Sequence, residues 1–261
     1  MPLSNEKRFI RVTLLLLAMF IDVHTHLTDK AFDLDRKEVI ARSGCAALVN
    51  NGYTISDNRA TLALAKQFPL IKVALGLHPS ETAVLAQKDI DAEIDWITKQ
   101  KCVAIGEIGL DFTYEGHEKQ IFSFKKLISL ALGKDLPMII HSRKAEKEVL
   151  DVLEEMKAKK VILHCFSGKV KLVERAEKLG YSFSIPPIVN HSQQFQDLVK
   201  KVSITKLLTE TDAPFLSPKK GERNEPAYIS ISIKKIAEIK GMDRIEVENS
   251  IFANYQRLFH G

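Results

Sequence analysis

Apolar and polar positions in this chain follow two periods that take turns. Short apolar runs, each ended by a polar or small residue, are separated by longer amphipathic stretches with apolar positions at i, i+3 and i+4. This is the pattern of strands interleaved with helices. The runs fall at 20–26, 45–50, 71–77, 102–107, 137–141, 161–164, 181–185 and 206–212. Between them the helical period predicts helices over 31–43, 56–68, 89–100, 118–133, 145–157 and 170–179, and two more over 229–240 and 246–259 close the chain. Gly44 and Gly180 read as helix stops, Ser56 as a helix cap and Pro69 as a terminator. Eight strands separated by helices, without a Ser/Gly-rich linker or a low-complexity tract, predict an α/β fold: a single-domain (β/α)8 TIM-type barrel.

The first run ends in Phe20-Ile21-Asp22-Val23-His24-Thr25-His26. Alternate side chains of an extended strand point the same way, so both imidazoles face one point, about 7 Å apart along the backbone. Two histidines at this spacing are a weak signal alone. Their company changes the picture. Glu107 stands at the carboxyl end of the fourth predicted strand, His141 of the fifth, His164 of the sixth and Asp212 of the eighth. Barrel enzymes build their sites on that face, so these distant residues are expected to converge on one pocket as metal ligands. Six nitrogen and oxygen donors are too many for one tetrahedral ion. They suit two divalent cations about 3.5–4 Å apart that share a carboxylate and a water. Glu107 is the natural bridge, because its strand lies across the barrel from the first. Four neutral imidazoles and two carboxylates leave two such cations under-neutralised, which lowers the pKa of bound water and attracts an anion such as a phosphodiester.

Composition narrows the class. A length of 261 residues fits one such barrel, and 45% hydrophobic with 27% charged residues excludes a disordered or fibrous chain. The net charge of +5 permits a phosphate-bearing partner without demanding one. Cys45, Cys102 and Cys165 are odd in number and lack CxxC spacing, which points to a reduced, cytoplasmic setting rather than a disulfide framework. Near the start, Lys7, Arg8 and Arg11 precede the apolar run 12–21 and superficially resemble a signal peptide. No small-residue cleavage site follows, a cut after Ile21 would remove the histidine strand, and the run is too short to span a bilayer. Residues 1–18 are therefore expected to be an extension of uncertain status, with the hydrolase barrel over 19–261, no membrane partner, and an oligomeric state left open.

Taken together, Ile21-Asp22-Val23-His24-Thr25-His26-Leu27, Gly76-Leu77-His78-Pro79, Gly106-Glu107-Ile108-Gly109-Leu110-Asp111-Phe112, His141-Ser142-Arg143, His164-Cys165-Phe166-Ser167-Gly168, Glu210-Thr211-Asp212-Ala213-Pro214 and Arg223-Asn224-Glu225-Pro226 make the chain resemble the TatD-type metal-dependent deoxyribonucleases of the amidohydrolase superfamily. They occur in the family's order from Met19 onward. The resemblance implies that His24, His26, Glu107, His141, His164 and Asp212 are the metal ligands, in agreement with their strand-end positions. It also implies DNA as substrate. Val23, Thr28, Lys147 and Thr209 depart from the family's usual residues; none is a ligand, and they bear on substrate preference rather than metal binding.

The expected reaction is phosphodiester hydrolysis by a metal-activated water, with Asp212 orienting the water or accepting its proton and Glu107 bridging the metals. His78 and Arg143 are candidate phosphate contacts, Arg143 through a bidentate guanidinium. Lys169, Lys219, Lys220 and Arg223 lie in loops on the same face as candidate backbone contacts, Asp111 and Glu210 are expected to anchor ligands or loops, and Cys165 is expected to point away from the pocket. Imidazoles favour zinc, manganese or iron, whereas the resemblance points to magnesium or manganese, so the metal's identity stays open. A lactonase, phosphotriesterase or cyclic amidase on the same barrel is the alternative, and a vestigial, non-catalytic metal-binding protein a further one. Amidohydrolases of those kinds often bridge their metals with a modified lysine on strand four, where this chain has Glu107.

Overall fold

The computed structural model describes residues 20–261; the extension expected over 1–18 and the start at Met19 lie outside them. Eight strands form one parallel sheet in chain order: β1 (Phe20–Thr25), β2 (Cys45–Asn51), β3 (Ile71–Leu75), β4 (Ala104–Gly109), β5 (Met138–His141), β6 (Val161–Leu163), β7 (Ser182–Ile185) and β8 (Leu207–Thr209). The sheet curls into a nearly closed barrel. Between β8 and β1, Thr209 Oγ1 donates to the Ile21 carbonyl (2.5 Å), Asp212 N to the His24 carbonyl (2.8 Å) and His26 N to the Ala213 carbonyl (2.8 Å). Buried Asp22 adds a side-chain tie, accepting from Thr211 N (3.0 Å) and Thr211 Oγ1 (2.5 Å). This junction joins the first histidine pair directly to the segment bearing Asp212.

Helices cover the outside: α1 (Arg36–Arg42), α2 (Ile55–Gln67), α3 (Pro79–Val84), α4 (Gln87–Thr98), α5 (His117–Lys134), α6 (Glu146–Glu155), α7 (Val170–Lys178), α8 (Gln193–Lys201), α9 (Ile229–Lys240) and α10 (Arg244–Phe259). On α5, Gln120, Ser123, Phe124, Leu127, Ile128 and Ala131 are buried, the i, i+3, i+4, i+7 stripe of a helix laid on a sheet. Each large apolar side chain so buried contributes about 1.5–3 kcal/mol relative to exposure. A second, smaller cluster packs Phe32, Val39, Ile40 and Leu64 against Leu27, Leu48 and Ile71, seating α1 and α2 on the first strands. Among the described residues no helix is long and apolar enough to cross a membrane.

Several boundaries differ from the sequence reading for physical reasons. Thr54, not Ser56, caps α2, its hydroxyl accepting from Asp57 N (3.0 Å). The stretch 31–43 divides into a single turn of 3-10 helix, Lys30–Phe32, and α1. A capping box of Asp243 and Glu246 starts α10 at Arg244. Two helices, α3 and α8, were not expected. β8 stops at Thr209 rather than continuing to 212, and Asp212, three residues further on, adopts a left-handed φ of 58°. β4 reaches Gly109, so Glu107 lies within the strand, at an irregularity between Ile105 and Ile108 in its pairing with β5.

Candidate metal centre

The carboxyl ends of the strands open into a cavity of about 680 Å³ lined by His26, His78, Glu107, His141, His164 and Asp212 among others. His24 lies beneath it, fully buried. The Glu107 carboxylate sits in the middle, and its two oxygens face different partners. Oε2 lies 3.5 Å from both His24 Nε2 and His26 Nε2. Oε1 lies 2.9 Å from His141 Nδ1 and 3.2 Å from His164 Nε2, with His78 Nε2 at 3.8 Å. Asp212 Oδ1 completes the first set, 3.4 Å from each of His24 Nε2 and His26 Nε2. All six expected ligands therefore meet, drawn from five strands or the turns just past them, and Glu107 divides them into two groups.

Close backbone approach makes this possible. A Cβ on Gly76 would meet the Glu107 carbonyl oxygen at 2.5 Å, and one on Gly109 (φ +148°) would meet the His141 carbonyl oxygen at 2.0 Å. Glycine is required at both positions for β3, β4 and β5 to bring Glu107 beside His141. The histidines are aimed by their second nitrogens. His26 Nδ1 lies 3.0 Å from the Asn51 carbonyl, which can only accept, so Nδ1 carries hydrogen and Nε2 turns toward His24 Nε2 3.1 Å away. His141 Nε2 lies 3.0 Å from Asp111 Oδ2, and Asp111 is in turn held by Thr113 Oγ1 (2.6 Å). His164 Nδ1 faces Glu210 Oε2 at 3.4 Å, and Glu210 accepts from Cys165 N (2.8 Å) and from Ser184 Oγ of β7 (2.5 Å).

The electrostatics demand positive charge. Glu107 and Glu210 are buried, and an uncompensated buried carboxylate costs several kcal/mol. Burial works against ionised Glu107, yet the charges of His24 and His164 and the hydrogen bond with His141 hold it well below the usual carboxylate range. Burial likewise opposes ionised Asp212 but is outweighed by His24 and His26, leaving it low. The Asp212 hydrogen bond and the Glu107 charge overcome burial and lift His26 to about 9. His164 rises well above its ordinary value against the same burial, through Glu210 and Glu107. Burial pushes His78 down to about 4, so it stands as a neutral imidazole with Nδ1 tied to Ser80 N (3.1 Å) at the start of α3. Facing imidazole nitrogens only 3.1 Å apart, ringed by carboxylates, need protons or cations between them. The donor set thus fits divalent metals.

Other expected residues divide. Arg143 lines the cavity, exposed, with no carboxylate partner among the described residues. Arg223 does not face the site: its guanidinium grips both oxygens of Asp35 (2.7 and 2.8 Å) and lies over the Phe32 ring. Lys219 pairs with Glu222 (3.3 Å), and Lys169 lines a separate cavity of about 270 Å³ between α7 and α8. Lys220 is exposed. Cys165 lines the site rather than pointing away from it, because β6 has already ended at Leu163 and the left-handed φ of +46° at Cys165 takes it out of the period-2 alternation. Sequence reasoning missed Tyr53, Tyr114 and Phe215 on the cavity wall, and Asn51, Ser184 and Asn224 behind it; only the placement of the three aromatics just past strands two, four and eight could have flagged them.

A parallel eight-stranded barrel with clustered histidines and carboxylates at the carboxyl ends of its strands defines a metal-dependent hydrolase. The TatD related DNase family matches residues 21–260, and the chain belongs to that family. It is 35% identical over 245 residues to an uncharacterized metal-dependent hydrolase of Methanocaldococcus jannaschii, covering 92% of this chain and 96% of that protein. It is also 35% identical over 257 residues to the human protein named deoxyribonuclease TATDN3, covering 92% of this chain and 94% of the relative. The crystal structure of the TatD homologue YjjV from Escherichia coli superposes with a TM-score of 0.87 at 25% identity, over 94% of this chain and all of that one.

Proposed function

We propose that this protein is a deoxyribonuclease that hydrolyses phosphodiester bonds with two divalent cations, which His24, His26 and Asp212 on one side of Glu107 and His141 and His164 on the other would hold together with Glu107. The observation that carries this reading is the division of the Glu107 carboxylate, whose two oxygens each face a separate cluster of imidazole nitrogens. Such cations supply Lewis acidity, neutralising phosphate charge and lowering the pKa of water.

The protein's own groups do the rest. Asp212, low in pKa and at the cavity wall, is an ionised acceptor for the proton of the attacking water. Arg143, free of carboxylate partners among the described residues, binds a phosphate oxygen pair and sets the diester against the cluster. His78, neutral and anchored through Nδ1, presents Nε2 into the cavity as a hydrogen-bonding group for substrate. The resemblance to named deoxyribonucleases supports DNA as the polymer, and the three free cysteines suit the cytoplasm as its setting. The test is to strip the protein with a chelator and reload it with magnesium, manganese or zinc alone. Cleavage of single-stranded DNA should vanish with the metal and return with at least one of them. His141→Ala should lower it by about 10²-fold or more, and undiminished cleavage by that variant sinks the assignment.

A further inference from the structure

Solvent meets aromatic rings at the mouth of this cavity, where a site for a small anion alone would not need them. Phe215 is 53% exposed and Tyr114 42% exposed, and both line the cavity wall. Phe215 lies 6.1 Å from the His26 ring, Tyr53 stands edge-on to the same ring at 5.3 Å, and Tyr114 lies 6.5 Å from the His78 ring. The three aromatics follow β8, β2 and β4, so they alternate with β1 and β3 along one half of the barrel rim. Arg143 follows β5, next along the rim, where the Phe112 amide bonds the Arg143 carbonyl (3.1 Å). The rim of the carboxylate and histidine cluster therefore carries aromatics from β8 round to β4 and a cation on the next strand, β5.

Phe215 is held out rigidly. Its amide donates to the Asp212 carbonyl (2.8 Å), and its own carbonyl accepts from Asn224 Nδ2 (2.6 Å), which also holds the Thr211 carbonyl (2.7 Å). Asn224 is fully buried, and left-handed residues flank the segment, Asp212 at φ 58° and Leu216 at φ 52°. Strained, pinned backbone that leaves a phenyl ring in water reads as a recognition element rather than as packing.

We infer that Phe215 and Tyr114 are base-stacking platforms that hold the nucleotides of the substrate by their ring faces, with Arg143 reading the backbone phosphates. The inference rests on the nucleic-acid reading of the site and adds the residues that hold the bases of its substrate. A ring face accepts any base, so the hold is on bases and not on sequence.

The test compares two phosphorothioate octamers, one of thymidines and one of abasic tetrahydrofuran units, so that backbone charge is equal and bases alone differ. Binding to the metal-loaded full chain is read by fluorescence anisotropy. The native protein should prefer the thymidine strand by about 5- to 100-fold. Phe215→Ala or Tyr114→Ala should shrink that ratio by weakening the thymidine strand only, and Phe215→Trp should keep it. Arg143→Ala should weaken both strands alike and reduce the salt slope by about one. Equal binding of the two strands by the native protein, or equal weakening of both by Phe215→Ala, overturns the inference. Failure of the nuclease reading shows differently: the binding ratio stays intact while an ordinary phosphodiester octamer goes uncut.

Discussion

Glu210 and His164 face each other across 3.4 Å behind the candidate metal centre, and Ser184 fixes the carboxylate from β7 with a 2.5 Å hydrogen bond. β7 supplies none of the proposed ligands, so this is how the seventh strand takes part in the site. A carboxylate opposite the far nitrogen of a ligand histidine orients the ring and raises its basicity. Glu210→Gln is expected to lower metal affinity by about 10- to 100-fold while the fold persists. Competition with a chromophoric chelator, read beside circular dichroism, measures this; unchanged affinity in a folded variant removes the role.

Because both sets of donors lean on Glu107, its loss should disturb both together. Glu107→Ala is expected to cut bound metal from the proposed two ions per chain toward none, and the proposed nuclease activity by about 10³-fold. Metal content by mass spectrometry of the native complex is the direct measure. Retention of two ions would show that the carboxylate is not shared.

Much of this centre was legible in the chain because ligand-type residues closed the apolar runs of one barrel. His24, His141 and His164 needed only the strand pattern and the rule that such sites gather at carboxyl ends. Asp212 was legible as a participant, but not the left-handed turn that swings it against the first histidines. Cys165 was misread for the same reason, since alternation holds only while the backbone stays extended. Arg223 was misread for another: its partner Asp35 is 188 residues away, and no local period reports a pairing at that distance. The unexpected α8 did carry its signal, with Phe195, Leu198 and Val199 at i, i+3 and i+4 after Ser192; the 3-10 turn Pro187–Asn190 just before it obscured the entry.

The Asp35 clamp makes a pH prediction. Hydrogen bonds from Arg223, and then from Arg42, hold its carboxyl down at about 2 against an ordinary 3.8. A depressed folded-state pKa stabilises the fold above the unfolded value, and that contribution fades as pH falls from about 4 to about 2. Asp35→Asn should therefore lower Tm at pH 7, with the gap from the native protein closing over that acidic window. Thermal melts across pH 2–7 read it directly, and a gap that is constant with pH would exclude an ionic clamp.

Asn224 offers a test of how far the rim depends on backbone it never shows to substrate. Its buried amide holds the carbonyls of Thr211 and Phe215 at 2.7 and 2.6 Å, on either side of Asp212. Asn224→Ala leaves two acceptors without that donor, a cost of about 1–3 kcal/mol, and frees the segment that presents both Asp212 and Phe215. Urea unfolding should show that loss of stability. At saturating metal, the KM for a thymidine octamer should rise along with a fall in kcat, because stacking ring and proton acceptor loosen together. A variant destabilised by this amount but kinetically unchanged would show that the turn keeps its shape without the amide, and that the left-handed Asp212 backbone is held from the β1 side alone.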